Sequence, residues 1–134
     1  MKKILVIEDN ETNRYLISFI LKSGGYEVLE ARNGEEGVEV TKKEKPDLVI
    51  MDVQLPGIDG LETTKAIRKF ETGNLQPQSS IINRQSSIHR VPIVALTSYA
   101  MVGDKEKALN AGCTGYIEKP INPDTFMHEI EKYL

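Results

Sequence analysis

The sequence has 134 residues, of which 40% are hydrophobic and 28% charged, with a net charge of -3 at pH 7. This length and composition predict one globular domain. The acidic balance disfavours direct binding to nucleic acid or to an anionic membrane surface. No apolar run approaches the roughly 20 residues of a membrane-spanning helix.

The chain contains a single cysteine, Cys113, between Gly112 and Thr114. One cysteine excludes an internal disulfide and a cysteine-based zinc site. We therefore expect a reducing, cytoplasmic setting and a small core or loop role for Cys113. The two lysines before the first apolar run do not make a signal peptide, because that run is only four residues long and ends in Glu8 and Asp9.

The first half of the chain alternates strand and helix patterns. Short apolar and β-branched runs predict strands, and apolar residues at helical spacing before the pair Gly24-Gly25 predict a helix. Asn33 with Glu36 three residues later has the pattern of a helix capping box. We predict a strand at 2–7, a helix at 10–23, a strand at 26–31, a helix from 34 to about 43, and a strand at 48–52.

The second half repeats the alternation. Asp59 and Glu62 form a second capping pattern, and Asn122-Pro123 combines a capping side chain with proline at the first helical position. We predict a helix from 60 to about 70, a strand at 92–96, a helix at 104–111, a short strand at 116–117, and a last helix that runs to 134.

Five strands that alternate with five helices predict an α/β fold with a doubly wound parallel sheet. Right-handed crossovers place helices on both faces of such a sheet. All strands then point the same way, and their carboxyl ends gather at one edge, which is where open parallel sheets bind ligands.

The run from Leu48 to Met51 predicts a strand buried on both faces, and it ends in the carboxylate of Asp52. An acid in this place is a candidate for chemistry at the ligand-binding edge. The pattern alone leaves a second interpretation open, in which Asp52 only caps the strand and begins a turn.

Other polar groups are expected at the same edge. Glu8 and Asp9 follow the first predicted strand, Thr97 the fourth, and Lys119 the fifth. Three carboxylates brought together repel, and Mg²⁺ relieves this because it prefers hard oxygen ligands. Acids, a metal, a lysine and a hydroxyl are the groups that phosphoryl transfer requires, and a carboxylate can itself be the nucleophile.

This arrangement resembles the receiver domain of two-component response regulators over essentially the whole chain. The resemblance rests on residues that appear in order along the sequence, namely Glu8-Asp9, Asp52, the loop Leu55-Pro56-Gly57-Ile58-Asp59-Gly60, Thr97-Ser98, Tyr116 and Lys119-Pro120. It implies a flavodoxin-like fold with strand order 2-1-3-4-5 and one receiver domain over residues 1–134.

The resemblance also implies a role for each site residue. Asp52 would accept a phosphoryl group from a phosphohistidine on a histidine kinase or histidine phosphotransfer protein. Asp9 and Asp52 would ligate Mg²⁺ directly, Glu8 through water, and Gln54 through its backbone carbonyl. Lys119 would pair with Asp52 and then with the phosphate. Thr97 and Tyr116 would switch the surface formed by helix four, strand five and helix five, and the Lys119-Pro120 peptide bond would be cis.

A polar segment at about 71–90 departs from the family pattern, because a receiver usually crosses here in roughly half the length. The first interpretation is a solvent-facing loop without its own function. The second is a partner-specific contact with apolar anchors at Ile81, Ile82 and Ile88. Tyr99, two residues after Thr97, has two interpretations: its large side chain shields a phosphate from water, or it points outward and only packs on the fourth helix.

Several alternatives stay open at this stage. A phosphorylation-independent scaffold with the receiver fold is the main competing function, whereas Gln54 two residues after Asp52 disfavours a hydrolase that uses a second acid there. His89 and His128 are expected at the surface. The chain is either a single-domain regulator or the receiver part of a larger protein, and either a monomer or a weak dimer.

Overall fold

The computed structural model describes residues 1–73, 90–98 and 102–134. Most of the polar insertion, with its proposed anchors Ile81, Ile82 and Ile88, lies outside these residues. His89 and Tyr99 also lie outside them, so the expectations for these positions stay untested.

Ten helices and strands alternate along the described chain. The strands are β1 (Lys3–Ile7), β2 (Glu27–Ala31), β3 (Leu48–Asp52), β4 (Ile93–Thr97) and β5 (Gly115–Glu118). The helices are α1 (Glu11–Ser23), α2 (Gly34–Glu44), α3 (Gly60–Gly73), α4 (Val102–Ala111) and α5 (Pro123–Glu131).

The five strands form one parallel sheet in the order β2-β1-β3-β4-β5. This confirms the predicted fold class and strand order. β3 lies at the centre of the sheet, and all five of its residues are buried. The carboxyl ends of β1, β3 and β4 are therefore neighbours, which places their last residues at one edge.

Side-chain alternation along the strands divides the core into two layers. Leu5, Ile7, Val49 and Met51 pack on one face with residues of α2, α3 and α4. The other face of β1 and β3 packs against Ile17 and Leu21 of α1 and Phe126 and Ile130 of α5. Helices therefore pack on both faces of the strands that end at the candidate site.

The predicted capping residues begin their helices. The Asn33 side chain accepts the Glu36 backbone N–H at 2.8 Å, and the Asp59 side chain accepts that of Glu62 at 2.8 Å. Each satisfies one of the free N–H groups of a first helical turn. Glu36 reaches the backbone N–H of Arg32 at 2.7 Å, one residue before the position that the capping box predicts.

Helix α3 ends at Gly73, three residues later than the predicted Phe70, so residues 71–73 are helical and not part of a loop. Side-chain bonds account for the longer helix. The guanidinium of Arg68 donates to Glu71 at 2.9 Å and to the Val91 carbonyl at 2.7 Å, while Glu71 accepts the Val91 N–H at 2.7 Å. The end of α3 is thereby tied to the residues that precede β4.

Helix α5 ends at Glu131, whereas the pattern predicts a helix to Leu134. The last two residues make backbone bonds three residues back, from Tyr133 to Ile130 and from Leu134 to Glu131, and these bonds form a tighter turn than an α-helix. His128 is exposed on α5, as predicted. Within the described part of the chain, none of the helices combines the length and apolarity needed to cross a membrane.

Candidate functional site

Asp52 is the last residue of β3, and only 4% of its surface is exposed. One carboxylate oxygen accepts the backbone N–H of Gln54 at 3.1 Å, and the other lies 3.0 Å from the Lys119 ammonium. A buried carboxylate needs such partners, because an unpaired charge away from water is costly. Asp52 is therefore held at the sheet edge by an ion pair as well as by the turn that follows β3.

Glu8 and Asp9 follow β1 and approach Asp52. Glu8 is fully buried, whereas Asp9 is exposed. Carboxylate oxygens of Glu8, Asp9 and Asp52 all lie within 4.8 Å of one another. The structure therefore brings together the three acids that the sequence predicts at this edge.

Lys119 follows β5 and joins two of these acids. Its ammonium lies 3.4 Å from Glu8 as well as 3.0 Å from Asp52. Burial by itself lowers the pKa of Lys119, but the Asp52 and Glu8 carboxylates outweigh burial and raise this pKa above its ordinary value. Lys119 is thus a fixed positive charge beside Asp52.

The carboxyl group of Glu8 is strongly perturbed. Burial, followed by its closeness to Asp52, raises the pKa of Glu8 from 4.5 to about 7. One lysine does not neutralise three carboxylates, and burial disfavours the charged form of Glu8. The cluster is therefore short of positive charge.

The donor set fits Mg²⁺. Its members are hard carboxylate oxygens that converge from two adjacent strands, with one exposed side that leaves room for water. No cysteine or histidine belongs to the described cluster, which disfavours a softer metal. A divalent cation bound there would neutralise the excess negative charge around Glu8.

Thr97 and Tyr116 lie on the face of the sheet that α4 covers. Thr97 ends β4, and among the described residues its buried hydroxyl has no hydrogen-bond partner. Tyr116 is half-buried on β5, next to Ala95 in the sheet register. The Lys119 backbone N–H donates to the Thr97 carbonyl at 2.7 Å, which joins Thr97 to the lysine loop. The Lys119-Pro120 peptide bond is cis, as the resemblance implies.

A cleft of about 410 Å³ opens beside Glu8 and Lys119. It lies between α1 and the loop after β5. The lining residues are Glu8, Asn13, Leu16, Ser98, Lys119, Pro120 and Ile121.

Two residues near the site are absent from the predicted set of site residues. The Asn10 backbone N–H donates to the Glu8 carboxylate at 3.2 Å, and Arg14 donates to the Glu8 carbonyl at 2.9 Å. Arg14 also pairs with Glu30 of β2 at 3.0 Å. No sequence motif identifies Arg14 as a site residue. The one available signal is its position one helical turn after Asn10, which places it on the side of α1 near the end of β1.

The site residues and the strand order together match one known family. The sequence profile described as "Response regulator receiver domain" matches residues 4–131. The chain belongs to the response regulator receiver family. It is a receiver domain of two-component signalling, as the sequence predicts.

Known receivers resemble the chain over nearly its full length. The polar-differentiation response regulator DivK of Brucella anthropi is 35% identical over 133 residues, which are 99% of this chain and 96% of DivK. The receiver of Saccharomyces cerevisiae Ssk1, solved in complex with the histidine phosphotransfer protein Ypd1, matches with a TM-score of 0.85 and 34% identity over 98% of this chain and 88% of that one.

A third receiver bears on the metal. It comes from a sensor histidine kinase of Pseudomonas aeruginosa, and its structure has a magnesium ion coordinated in the active site cleft. The match has a TM-score of 0.78 and 32% identity over 98% of this chain and 96% of that one.

Proposed function

We propose that Asp52 accepts a phosphoryl group from a phosphohistidine on a partner protein, which is a histidine kinase or a histidine phosphotransfer protein. The observation that supports this most strongly is the buried Asp52 carboxylate with the Lys119 ammonium at 3.0 Å and two further acids within 4.8 Å. The Ssk1 receiver was solved with a histidine phosphotransfer protein, and this supports the class of donor.

The transfer balances as a displacement at phosphorus. An Asp52 carboxylate oxygen forms the new P–O bond while the P–N bond to the donor imidazole breaks. The electron pair of that bond stays on the imidazole nitrogen, which takes up a proton. Lys119 lies where it stabilises negative charge on the phosphoryl oxygens. In this proposal the domain catalyses only its own phosphorylation and dephosphorylation.

We place Mg²⁺ at the acid cluster, with Asp9 and Asp52 as direct ligands, Glu8 as a ligand through water, and the Gln54 carbonyl as a further ligand. The bound ion would neutralise the acids and the phosphoryl oxygens that approach them. The magnesium-bound receiver of Pseudomonas aeruginosa supports this choice of metal. That the domain acts in the cytoplasm and as a monomer or weak dimer stays a prediction from the sequence.

We propose that phosphorylation is signalled by a shift between two conformations that differ in the packing of Thr97 and Tyr116. The buried hydroxyl of Thr97 has no partner within the described part of the chain, and a phosphoryl oxygen on Asp52 would supply one. Movement of Thr97 would leave space for the Tyr116 ring on the same face of the sheet. The surface of α4, β5 and α5 would then change and bind a protein target.

Incubation with acetyl phosphate and Mg²⁺, read by intact mass, tests this proposal. We expect wild type to gain one phosphoryl mass, and we expect no gain without Mg²⁺ or in Asp52→Asn. Asp124→Asn is the matched control, because it removes an exposed acid of α5 and should keep the adduct. A second step replaces acetyl phosphate with a phosphorylated histidine phosphotransfer domain.

An adduct that survives in Asp52→Asn would contradict the assignment of the acceptor. If wild type forms no adduct and also fails to bind beryllofluoride, the phosphorylation-independent scaffold becomes the better explanation.

A further inference from the structure

Lys105 of α4 contacts two residues of β5. Its ammonium lies 4.9 Å from the centroid of the Tyr116 ring and 3.5 Å from the Glu118 carboxylate. An ammonium within about 6 Å of a ring face is attracted by the electrons of the ring. Lys105 thus bridges α4 to β5 with one cation–π contact and one ion pair.

The bridge lies on the face of the sheet that contains Thr97. Residues two apart on a strand share a face, so Tyr116 and Glu118 point the same way. The register pairs Tyr116 with Ala95 and Glu118 with Thr97. Lys105 therefore contacts the strand residues beside the unpartnered hydroxyl, although it does not touch the acid cluster.

The charge that makes this contact is stable. Tyr116, and to a smaller extent Glu118, raises the pKa of Lys105 above its ordinary value. The Lys105 side chain is 35% exposed, so the contact is partly in water and is weaker than a buried one.

We propose that Lys105 is a positioning residue that holds the Tyr116 ring in its present half-buried orientation, beneath the Lys105 ammonium, and so favours the resting state of the receiver. The inference rests on the proposed function, in which Tyr116 moves inward when Asp52 is phosphorylated. A contact biases a two-state equilibrium only if it is stronger in one state than in the other. The Lys105 contact meets this condition because an inward turn of the ring removes its aromatic face from the ammonium.

Lys105→Met tests the proposal, since it keeps a long apolar side chain and removes the charge. Lys105→Arg retains a cation over the ring and should restore wild-type behaviour. Lys107→Met is the matched control, because it removes one positive charge from an exposed position of the same helix.

Two measurements are made on each protein. The first is fluorine NMR of protein labelled with fluorotyrosine, without metal, in which Tyr116→Phe assigns the Tyr116 resonance. The second is the affinity for beryllofluoride in the presence of Mg²⁺, which mimics the phosphoryl group. We expect Lys105→Met to shift the resonance toward its beryllofluoride-bound position and to bind about two- to five-fold more tightly.

The outcomes separate this inference from the proposed function. If wild type binds beryllofluoride while Lys105→Met has the resonance and affinity of wild type, Lys105 does not hold the ring. An equal effect of Lys107→Met would assign the change to helix charge and would overturn the inference as well. If wild type fails to bind beryllofluoride, the proposed function fails, and an unmoved resonance in metal-free Lys105→Met still refutes the Lys105 contact.

Discussion

Glu8 couples proton binding to the stability of the metal-free domain. Its pKa is raised from 4.5 to about 7 by burial and by Asp52. Between these two values the unfolded chain releases the proton and the folded chain keeps it. The free energy of unfolding therefore falls as pH rises through this window, by on the order of 3 kcal/mol.

Urea denaturation in the presence of a chelator, between about pH 5 and about pH 8, measures this loss. The control is Glu8→Gln, which stays neutral and should lack this part of the pH dependence. Added Mg²⁺ should restore stability at the upper end of the range, because the ion binds the ionised acids of the folded state. Parallel curves for wild type and Glu8→Gln would show that Glu8 titrates normally.

The sequence predicts the identity of the site residues better than their charge states. Glu8, Asp9, Asp52 and Lys119 could be predicted because each lies at or directly after the end of a strand, and strand ends can be recognised from apolar runs. That Glu8 is fully buried whereas its neighbour Asp9 is exposed depends on side-chain alternation at the end of β1. The pKa of Glu8 follows from that burial and cannot be obtained from the pattern alone.

At the scale of elements, Gly60 determines how closely α3 approaches the end of β3. A Cβ at this position would lie 2.6 Å from the Asp52 carbonyl oxygen and 2.7 Å from the Val53 Cα. Both atoms belong to the backbone and cannot move aside cheaply. We expect Gly60→Ala to displace the turn after Asp52, to destabilise the domain by about 1–3 kcal/mol, and to slow phosphorylation by acetyl phosphate.

Gly24→Ala is the matched control for Gly60→Ala. Its Cβ would clash with the Met127 side chain, whose flexible end can move away, and would lie 3.5 Å from the Leu21 carbonyl oxygen, which is an ordinary contact. Urea denaturation and the initial rate of mass gain are compared for the two variants. Equal effects of the two substitutions, or a normal rate in Gly60→Ala, would mean that close packing at Gly60 does not position Asp52.

The ends of α3 and α5 show where local patterns stop being sufficient. The capping residues of α2 and α3 were predicted from neighbouring residues, and the structure confirms them. The end of α3 depends instead on bonds from Arg68 and Glu71 to Val91, which lies 23 and 20 residues further along the chain, respectively. No window of sequence around Arg68 contains that information.

At the scale of the whole molecule, a single sheet separates the two layers of the core and contributes side chains to both. Leu5 packs on the face covered by α2, α3 and α4, and Phe126 packs on the face covered by α1 and α5. The fold class could be predicted because strands and helices alternate regularly along the chain, whereas the strand order was implied only by the resemblance to receiver domains. Which helices share a layer follows from the crossovers, and the two clusters show it directly.

Since β1 and β3 connect the two layers, we expect the domain to unfold in one step. Leu5→Ala and Phe126→Ala, both at fully buried positions, should each lower the free energy of unfolding by about 2–5 kcal/mol without changing the slope against urea. Tyr15→Ala is the control, because this side chain is 71% exposed and its loss should cost less than about 0.5 kcal/mol.

Far-ultraviolet circular dichroism and tyrosine fluorescence should report the same midpoint for each protein, and beryllofluoride binding should disappear over the same urea range. If circular dichroism and fluorescence give different midpoints in Leu5→Ala or Phe126→Ala, or if the slope changes, one layer unfolds while the other still holds the strands that form the site.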